Sequence, residues 1–214
     1  LPRLKPQCFY ELVVEVARDR QLYRQRFSQG QTLGPLEHLG GTPNRRGSLV
    51  SFIPDSEIFG EMQFKPARLY KLARSKAYLF AGVEIRWKCA PELISDDTPA
   101  EAVFQFPGGL ADHLKEQIGT REGATAEFFS GTQEFPDGAG RVEWAVAWPL
   151  WSDGSYSWYC NTIPTPDGGT HEQGLRQALV RGIRAFGELV GQKKAKDNTA
   201  DDIMVGSELM LSAF

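Results

Sequence analysis

Residues able to do acid–base, nucleophilic or metal chemistry are scattered through this sequence and do not form recognisable spacings. The histidines are His38, His113 and His171, and no two of them have the spacing of metal ligands. The adjacent carboxylates at 96–97 and 201–202 diverge on a strand or helix, so a turn or the acidic start of a helix explains each pair. The sequence contains no phosphate-binding GxxxxGK[ST] or GxGxxG loop, no zinc-binding HExxH motif and no GxSxG nucleophile elbow. The residue types therefore predict neither a catalytic centre nor a metal site.

The cysteines and the overall charge limit the classes of function. Cys8, Cys89 and Cys160 have no Cys-x-x-Cys spacing and no neighbouring histidine, which predicts small buried thiols in a reducing cytoplasm. A net charge of −3 offers no general attraction for nucleic acid, so any contact with DNA has to be local. No apolar run approaches the roughly 20 residues of a membrane span, and no secretory segment is found. We therefore expect a cytoplasmic protein that is not bound to a membrane.

Size and composition are those of a folded chain. The 214 residues, of which 41% are hydrophobic and 24% charged, suffice for one domain or two small ones. The sequence begins at Leu1 and ends at Phe214 within an apolar run, and both ends resemble cuts in a longer chain. We therefore expect a fragment.

The first half of the sequence is rich in strand signals. Residues 12–18 and 22–27 predict a β-hairpin around a polar turn. Residues 28–46 contain glycines and prolines and predict a loop with one short strand. Residues 48–53 predict a further strand that ends at Pro54. Such a half-sheet would expose an apolar face and an unpaired edge, so we expect this half to aggregate readily.

A helix and a strand occupy the middle of the sequence. Apolar residues at helical spacing predict a helix that begins near Pro66 and ends near Gly82, with Arg68, Lys71 and Arg74 on its solvent face. Strict alternation over 83–89 predicts a strand with one buried face. Residues 90–100 are the best candidate for a linker.

The second half predicts strands that alternate with helices. Residues 102–106 predict a strand, 110–118 a short helix and 142–148 another strand, for which 155–163 is the expected antiparallel partner. A long helix begins near Thr170, where Thr170 and Gln173 predict a capping box. Its apolar stripe should lie on a sheet with one face dry, and the stripe consists of Leu175, Leu179, Ile183, Phe186 and Val190. These elements predict an α+β fold.

Three segments carry a resemblance to a known family. The segment 164–176, PTPDGGTHEQGLR, resembles the IPxxxGGTHxxG[FL]R signature of the B-type subunit of bacterial gyrase and topoisomerase IV. The segment 46–55, RGSLVSFIPD, is similar to the family's GTxVxFxPD strand, and GVEI at 82–85 is similar to its GVxI strand. The likeness runs from about Glu11 to Gly206. The residues FQFPGGL at 104–110 favour topoisomerase IV over gyrase.

The resemblance implies two domains. Residues 1–103 would be the C-terminal half of a GHKL-type ATPase sandwich, within which 1–10 do not align with the family. Residues 104–214 would be the first part of a transducer domain with a left-handed βαβ fold. In this family the transducer relays the nucleotide state to the DNA-cleaving core.

Two positions carry over from the family. Ser48 stands at a threonine whose hydroxyl supports a water-mediated network at the adenine of ATP, and serine keeps the donor and the acceptor. A hydroxyl that merely faces solvent is the alternative. Arg176 matches an arginine that lines the cavity for the transported DNA segment. An arginine held in an ordinary salt bridge is the alternative.

The resemblance also implies groups that this sequence does not contain. The family's general-base glutamate, magnesium-binding asparagine, adenine-binding aspartate and ATP lid would precede Glu11, and the lysine of its QTK loop would follow Phe214. ATP and magnesium therefore belong to the parent enzyme. We expect no catalytic and no metal-binding residue here, and a fragment that binds ATP weakly or not at all and does not hydrolyse it.

Two classes of function stay open. The first is a part of an ATP-coupled type II DNA topoisomerase, whose partners are DNA and the DNA-cleaving A-type subunit, and whose parent dimerises through its ATPase domains. The second is a non-catalytic, transducer-like module that binds DNA or a protein partner through the helix of Arg176. Dependence on ATP separates the two. A kinase of transducer-like fold would need a glycine-rich phosphate loop, which the sequence lacks. The fragment itself is expected to be a monomer.

Overall fold

The computed structural model describes residues 8–61 and 63–214, so most of the stretch that does not align with the family lies outside the described residues. The chain divides into two compact units, residues 1–64 and 65–214. The predicted boundary at 103 therefore falls inside the second unit. It was assigned from the family resemblance and stays a prediction.

The first unit is an antiparallel sheet. Its strands are β1 (Phe9–Arg18), β2 (Gln21–Ser28), β3 (Gln31–Thr32), β4 (Glu37–Gly41) and β5 (Gly47–Pro54). The predicted hairpin of β1 and β2 is confirmed, and its turn residues Asp19 and Arg20 have φ of 53° and 62°, the left-handed backbone of a tight hairpin. The segment predicted as a loop with one short strand contains two, since both β3 and β4 pair with β2.

Strand β5 pairs with β1 and forms an edge of this sheet among the described strands. Val50 and Phe52, on the face that also carries Val14, are 60% and 42% exposed. The exposed apolar face and edge expected from the sequence are therefore present. Helix α1 (Ser56–Phe59) follows, and the buried Asp55 carboxylate caps it by accepting a hydrogen bond from the Glu57 N–H.

The second unit begins with α2 (Pro66–Leu79), followed by β6 (Glu84–Lys88) and β7 (Glu101–Gln105), which pair as an antiparallel ladder. The predicted helix and strands are confirmed. Residues 90–100, predicted as a linker, instead connect these two paired strands within one unit. Tyr70 of α2 packs edge-on against Trp87 and Phe104, which closes this layer.

The rest of the second unit consists of a five-stranded sheet and the helices that pack on it. Its elements are α3 (Leu110–Ile118), β8 (Phe129–Glu134), β9 (Arg141–Ala147), β10 (Ser155–Cys160), β11 (Ile163–Pro164), α4 (Thr170–Leu189), α5 (Ala200–Met204) and β12 (Glu208–Ala213). The strand order is β11-β10-β12-β9-β8. The α+β expectation is confirmed.

One predicted pairing in this sheet is wrong. Residues 155–163 were expected to pair with the strand at 142–148, but β12 lies between β9 and β10. Strand β12 runs parallel to β10 and antiparallel to β9. The apolar pattern of β10 predicts a strand, but it does not encode which neighbour is inserted beside it.

Alternating side chains of the sheet supply two cores. On one face Ala145 and Met210 join a cluster with Leu110 and Leu114 of α3. On the other face Val146, Leu209 and Leu211 join Leu179 of α4 and Ile203 of α5. Strands β9 and β12 thus have helices on both faces, which makes them the best buried strands of the molecule.

Two further sequence predictions concern solvent and membrane. The cysteines are free, but Cys160 is exposed and Cys8 and Cys89 are only partly buried, so the prediction of buried thiols is wrong. Cys160 lies at the last position of β10, where the strand ends. Within the described residues, no helix has the length and apolar character needed to span a membrane.

Candidate functional site

The two predicted site residues lie in different units. Ser48 belongs to β5 and stands opposite Val16 of β1, on the same sheet face as Val14 and Val50. Its side chain is exposed and makes no hydrogen bond to any residue that the structure describes. Ser48 therefore presents a free hydroxyl on a largely apolar face, an arrangement that can hold an ordered water against a flat heterocycle.

The other face of the same sheet carries an ion cluster around Glu15. Glu15 accepts hydrogen bonds from Arg24 at 3.1 and 2.7 Å and from Arg45 at 2.9 Å. These hydrogen bonds, with that of Arg24 the largest influence, hold the pKa of the Glu15 carboxyl below its ordinary value. The ion cluster thus occupies the face opposite Ser48 and leaves its hydroxyl free.

Arg176 lies in the second turn of α4, inside a small polar network. Its Nε donates to the Glu172 carboxylate at 2.8 Å, and its Nη1 lies 3.9 Å from Asp201. The guanidinium carbon also lies 5.6 Å from the centre of the Tyr156 ring. With 26% of its side chain exposed, Arg176 is both salt-bridged and accessible, so the two interpretations of its role are compatible.

The glycine pair of the signature builds the turn that positions this network. Gly168 and Gly169 have φ of 71° and 151°, which side chains rarely adopt. A Cβ on Gly168 would overlap the Glu172 carboxylate, the group that binds Arg176. His171 closes the turn through a 3.1 Å contact between its Nε2 and Thr165 Oγ1. Gly168 therefore leaves the space that the Glu172 carboxylate occupies, and Glu172 in turn binds Arg176.

The predicted capping box at Thr170 and Gln173 is wrong. Gly169 is the N-cap of α4 and no side chain caps the helix, because the glycine turn makes Thr170 the first helical residue. A capping box does occur at α5, where Thr199 and Asp202 satisfy each other's backbone N–H groups. Asp202 is thereby explained as a helix-start carboxylate, as the sequence predicted.

The apolar stripe of α4 is only partly dry, contrary to expectation. Leu179 is buried, whereas Phe186 is 62% and Val190 50% exposed. Between the stripe and the sheet runs a groove of about 1100 Å³, lined among others by Trp144, Trp148, Leu175 and Ile183. Helix α4 therefore covers one part of its sheet and leaves an apolar groove beside it.

A buried aromatic cluster joins α2, α3 and β10, and no pattern in the sequence predicts it. The Tyr78 and Tyr159 hydroxyls lie 2.8 Å apart, and the His113 ring stacks on Tyr78 with a centroid distance of 4.0 Å and an interplanar angle of 6°. Burial lowers the pKa of His113 to about 4 and raises that of Tyr78. Its members are separated by up to 81 positions, so local pattern cannot reveal the cluster.

Further polar contacts tie α2 to the same part of the molecule. Arg74, predicted to face solvent, donates to Glu116 of α3 at 2.8 Å. Lys76 donates to the carbonyl and the hydroxyl of Thr162 at 2.8 and 2.7 Å, and burial lowers the pKa of its amine. Among the described residues, no three His, Cys, Asp or Glu side chains gather as a metal site would require.

The comparisons with known proteins agree on one family. A family model described as DNA gyrase B matches residues 109–214. The B-type subunit of DNA topoisomerase 4 from Bartonella bacilliformis is similar to this chain, with 52% identity over 207 residues that cover 95% of this chain and 30% of the relative. The corresponding subunit of Caulobacter vibrioides is 49% identical over 206 residues, covering 94% of this chain and 30% of that relative.

A solved structure extends the similarity to the fold. The 43K ATPase domain of Thermus thermophilus gyrase B, crystallised in complex with an aminocoumarin, superposes with a TM-score of 0.81 at 29% identity. The match covers 97% of this chain and 56% of that chain. Measured against the two topoisomerase 4 subunits above, this chain spans about 30% of the length of the curated relatives that it matches.

Proposed function

We propose, on the premise that this chain belongs to the B-type subunit family of bacterial type II DNA topoisomerases, that its residues relay nucleotide state to DNA in such an enzyme. The full-length subunit would couple ATP binding and hydrolysis to double-strand DNA passage, which decatenates or relaxes DNA. The observation that carries the proposal is the ordered series from Gly168 through Glu172 to Arg176. It sets an accessible cation on the most specific motif of the sequence.

Arg176 is proposed to contact the backbone of the transported DNA. Its guanidinium keeps donor groups beyond the single Nε–H that Glu172 accepts, and a phosphate is a suitable acceptor for them. The polar surroundings fix the position of the side chain before DNA arrives, which lowers the entropy cost of the contact.

The test of this contact is Arg176→Glu in the full-length subunit. We expect DNA-stimulated ATP hydrolysis to fall roughly tenfold or more, with DNA-independent hydrolysis changed less than about twofold, because loss of a phosphate contact costs binding energy only when DNA is present. The matched control is Arg181→Glu, an exposed arginine of the same helix. Equal loss of both activities would assign Arg176 to folding and contradict the proposal.

Ser48 is proposed to hold a water at the adenine of ATP. Its exposed hydroxyl, which bonds to no residue that the structure describes and lies on an otherwise apolar face, supports this role. We expect Ser48→Ala in the full-length subunit to raise the KM for ATP about threefold to tenfold, as expected for one hydrogen bond. Ser51→Ala, on the opposite face of β5, is the matched control and should leave the KM unchanged.

The isolated 214-residue chain is proposed to bind ATP and magnesium weakly or not at all and to leave ATP unhydrolysed. Phosphoryl transfer needs positioned charges and an oriented water. Ser48 could contact the base, yet it offers nothing to the phosphates. Titration of a fluorescent ATP analogue with magnesium onto the purified chain should show no saturable binding. Saturable, magnesium-dependent binding would reveal a nucleotide site in this chain and overturn this part of the proposal.

The partners proposed for the full-length subunit are DNA, the DNA-cleaving A-type subunit and a second copy of the same chain, met through the ATPase domains. The proposed compartment is the cytoplasm, and the three free cysteines are consistent with a reducing environment. DNA binding that does not depend on ATP, in this chain and in the full-length protein alike, would favour the alternative of a non-catalytic binding module.

A further inference from the structure

The cluster of Tyr78, His113 and Tyr159 joins segments on the two sides of the predicted domain boundary at 103. Tyr78 belongs to α2, which precedes this boundary, whereas His113 of α3 and Tyr159 of β10 follow it. The three side chains are 7%, 5% and 8% exposed. Because buried side chains are closely packed, a displacement of one of these segments must displace the other.

The parts of the cluster constrain different motions. The stacked rings of Tyr78 and His113 fix the spacing of α2 and α3, but parallel rings can slide past each other at little cost. Phe106 packs edge-on against both rings and keeps them from tilting. The hydrogen bond between the Tyr78 and Tyr159 hydroxyls, at 2.8 Å, is sensitive to sliding and therefore fixes the register.

The contact between the two hydroxyls is either made or broken, with little room for an intermediate geometry. Within the described residues each hydroxyl has the other as its hydrogen-bond partner, and both are buried. A shift of α2 along β10 by a few ångströms would leave two buried hydroxyls without a partner, which is unfavourable until a new arrangement is reached. Groups that are either paired or unpaired make a contact bistable and not continuously deformable.

The flanking contacts on α2 are more adaptable. Arg74 binds Glu116 with both side chains a third or more exposed, and Lys76 reaches Thr162 through a flexible side chain. Flexible side chains can follow a shift of the helix and keep their partners, whereas the rigid, buried tyrosine pair cannot. Among the polar contacts of α2, the hydroxyl pair is therefore the one least able to follow a shift of the helix.

We propose that Tyr78, Tyr159 and His113, whose ring stacks on Tyr78, are positioning residues. They couple the nucleotide state to the predicted transducer domain, residues 104–214. The inference rests on the proposed function and adds to it the contact that transmits the signal. The hydroxyl pair holds one register of α2 against β10, and its release and re-formation accompany each cycle.

The test uses Tyr78→Phe and Tyr159→Phe in the full-length protein, assembled with its DNA-cleaving A-type subunit. Phenylalanine keeps the stacked and edge-on rings and removes only the hydroxyl. The control is Tyr70→Phe on the same helix, because the Tyr70 hydroxyl bonds to no described residue although its ring is packed against Trp87 and Phe104. The readouts are the ATP hydrolysis rate, the number of DNA circles decatenated per ATP, and the melting temperature.

We expect both hydroxyl-deleted variants to decatenate roughly threefold to tenfold fewer circles per ATP, with hydrolysis within about twofold of the wild type. The Tyr70 variant should keep the wild-type ratio. A lowered melting temperature with an unchanged ratio would make the pair a structural contact only and overturn the inference, as would an unchanged ratio in folded variants. A wild-type enzyme without ATP-dependent decatenation would instead contradict the proposed function.

Discussion

The two units of this chain are built from similar strands but differ in how much they bury. In the first unit the buried residues among those described are Phe9, Ala17 and Asp55. The second unit contains two clusters in which residues such as Leu110 and Leu209 are at most 1% exposed. The difference shows that hydrogen-bonded strands alone do not bury a core. A core forms where a second layer of structure packs on the sheet.

Polar contacts do not differ in the same way. Glu15 in the first unit binds Arg24 and Arg45, and Glu208 in the second binds Arg121 and Ser152. In both cases the hydrogen bond to arginine is the largest influence that lowers the pKa of the carboxyl. Each unit thus contains a glutamate bound by arginine, and the units differ in how many apolar side chains they bury.

The largest expected effect is on the free energy of unfolding, when one leucine in each unit is replaced by alanine. Leu110→Ala removes a side chain that is 0% exposed and should lower the free energy of unfolding by about 2–5 kcal/mol, because it leaves a cavity. Leu49→Ala, at a position 44% exposed in β5, should cost about 0.5 kcal/mol. Urea unfolding of both variants measures the difference, and comparable losses would mean that the first unit has a core of its own.

A smaller effect should follow from pH. The pKa of His113 is lowered from 6.5 to about 4 in the folded protein, so below pH 6.5 the unfolded state binds the additional proton. Stability should therefore fall as the pH drops from about 6.5 towards 4, by about 1–2 kcal/mol after allowance for solvent screening.

The matched measurement is urea unfolding at about pH 7 and about pH 4.5 for two histidine variants, one from each unit. His113→Phe should flatten the pH dependence while keeping the ring stack, and His38→Phe, at an exposed position in the first unit, is the reference variant. An unaltered slope in the His113 variant would show that its ring does not control stability in this range.

The smallest effect concerns helix caps and should be equal in the two units. Asp55→Ala removes the cap of α1, and Thr199→Ala removes that of α5. Each should lower the free energy of unfolding by about 1 kcal/mol, since a cap is a local hydrogen bond. Thr170→Ala is the control without a cap and should have little effect. A markedly larger loss at Asp55 would indicate that its bond to Gln29 matters more than the cap.

The sequence by itself determined most of the elements and the position of the specific motif. The alternation around β9 and the helical spacing of α4 report which faces are apolar, because side-chain direction repeats with the backbone. The glycines at 168 and 169 belong to that motif, and the turn that they form depends on their own backbone freedom. These features depend on neighbours in sequence.

Tertiary structure alone decided how the elements combine. Strand β12 enters between β9 and β10, the Phe186 end of the α4 stripe stays exposed, and Tyr78 meets a hydroxyl 81 positions away. The cap predicted at Thr170 failed because the preceding turn set where the helix begins. Such outcomes depend on competition between distant surfaces for the same apolar faces and buried hydrogen bonds, and a local pattern cannot rank those competitors.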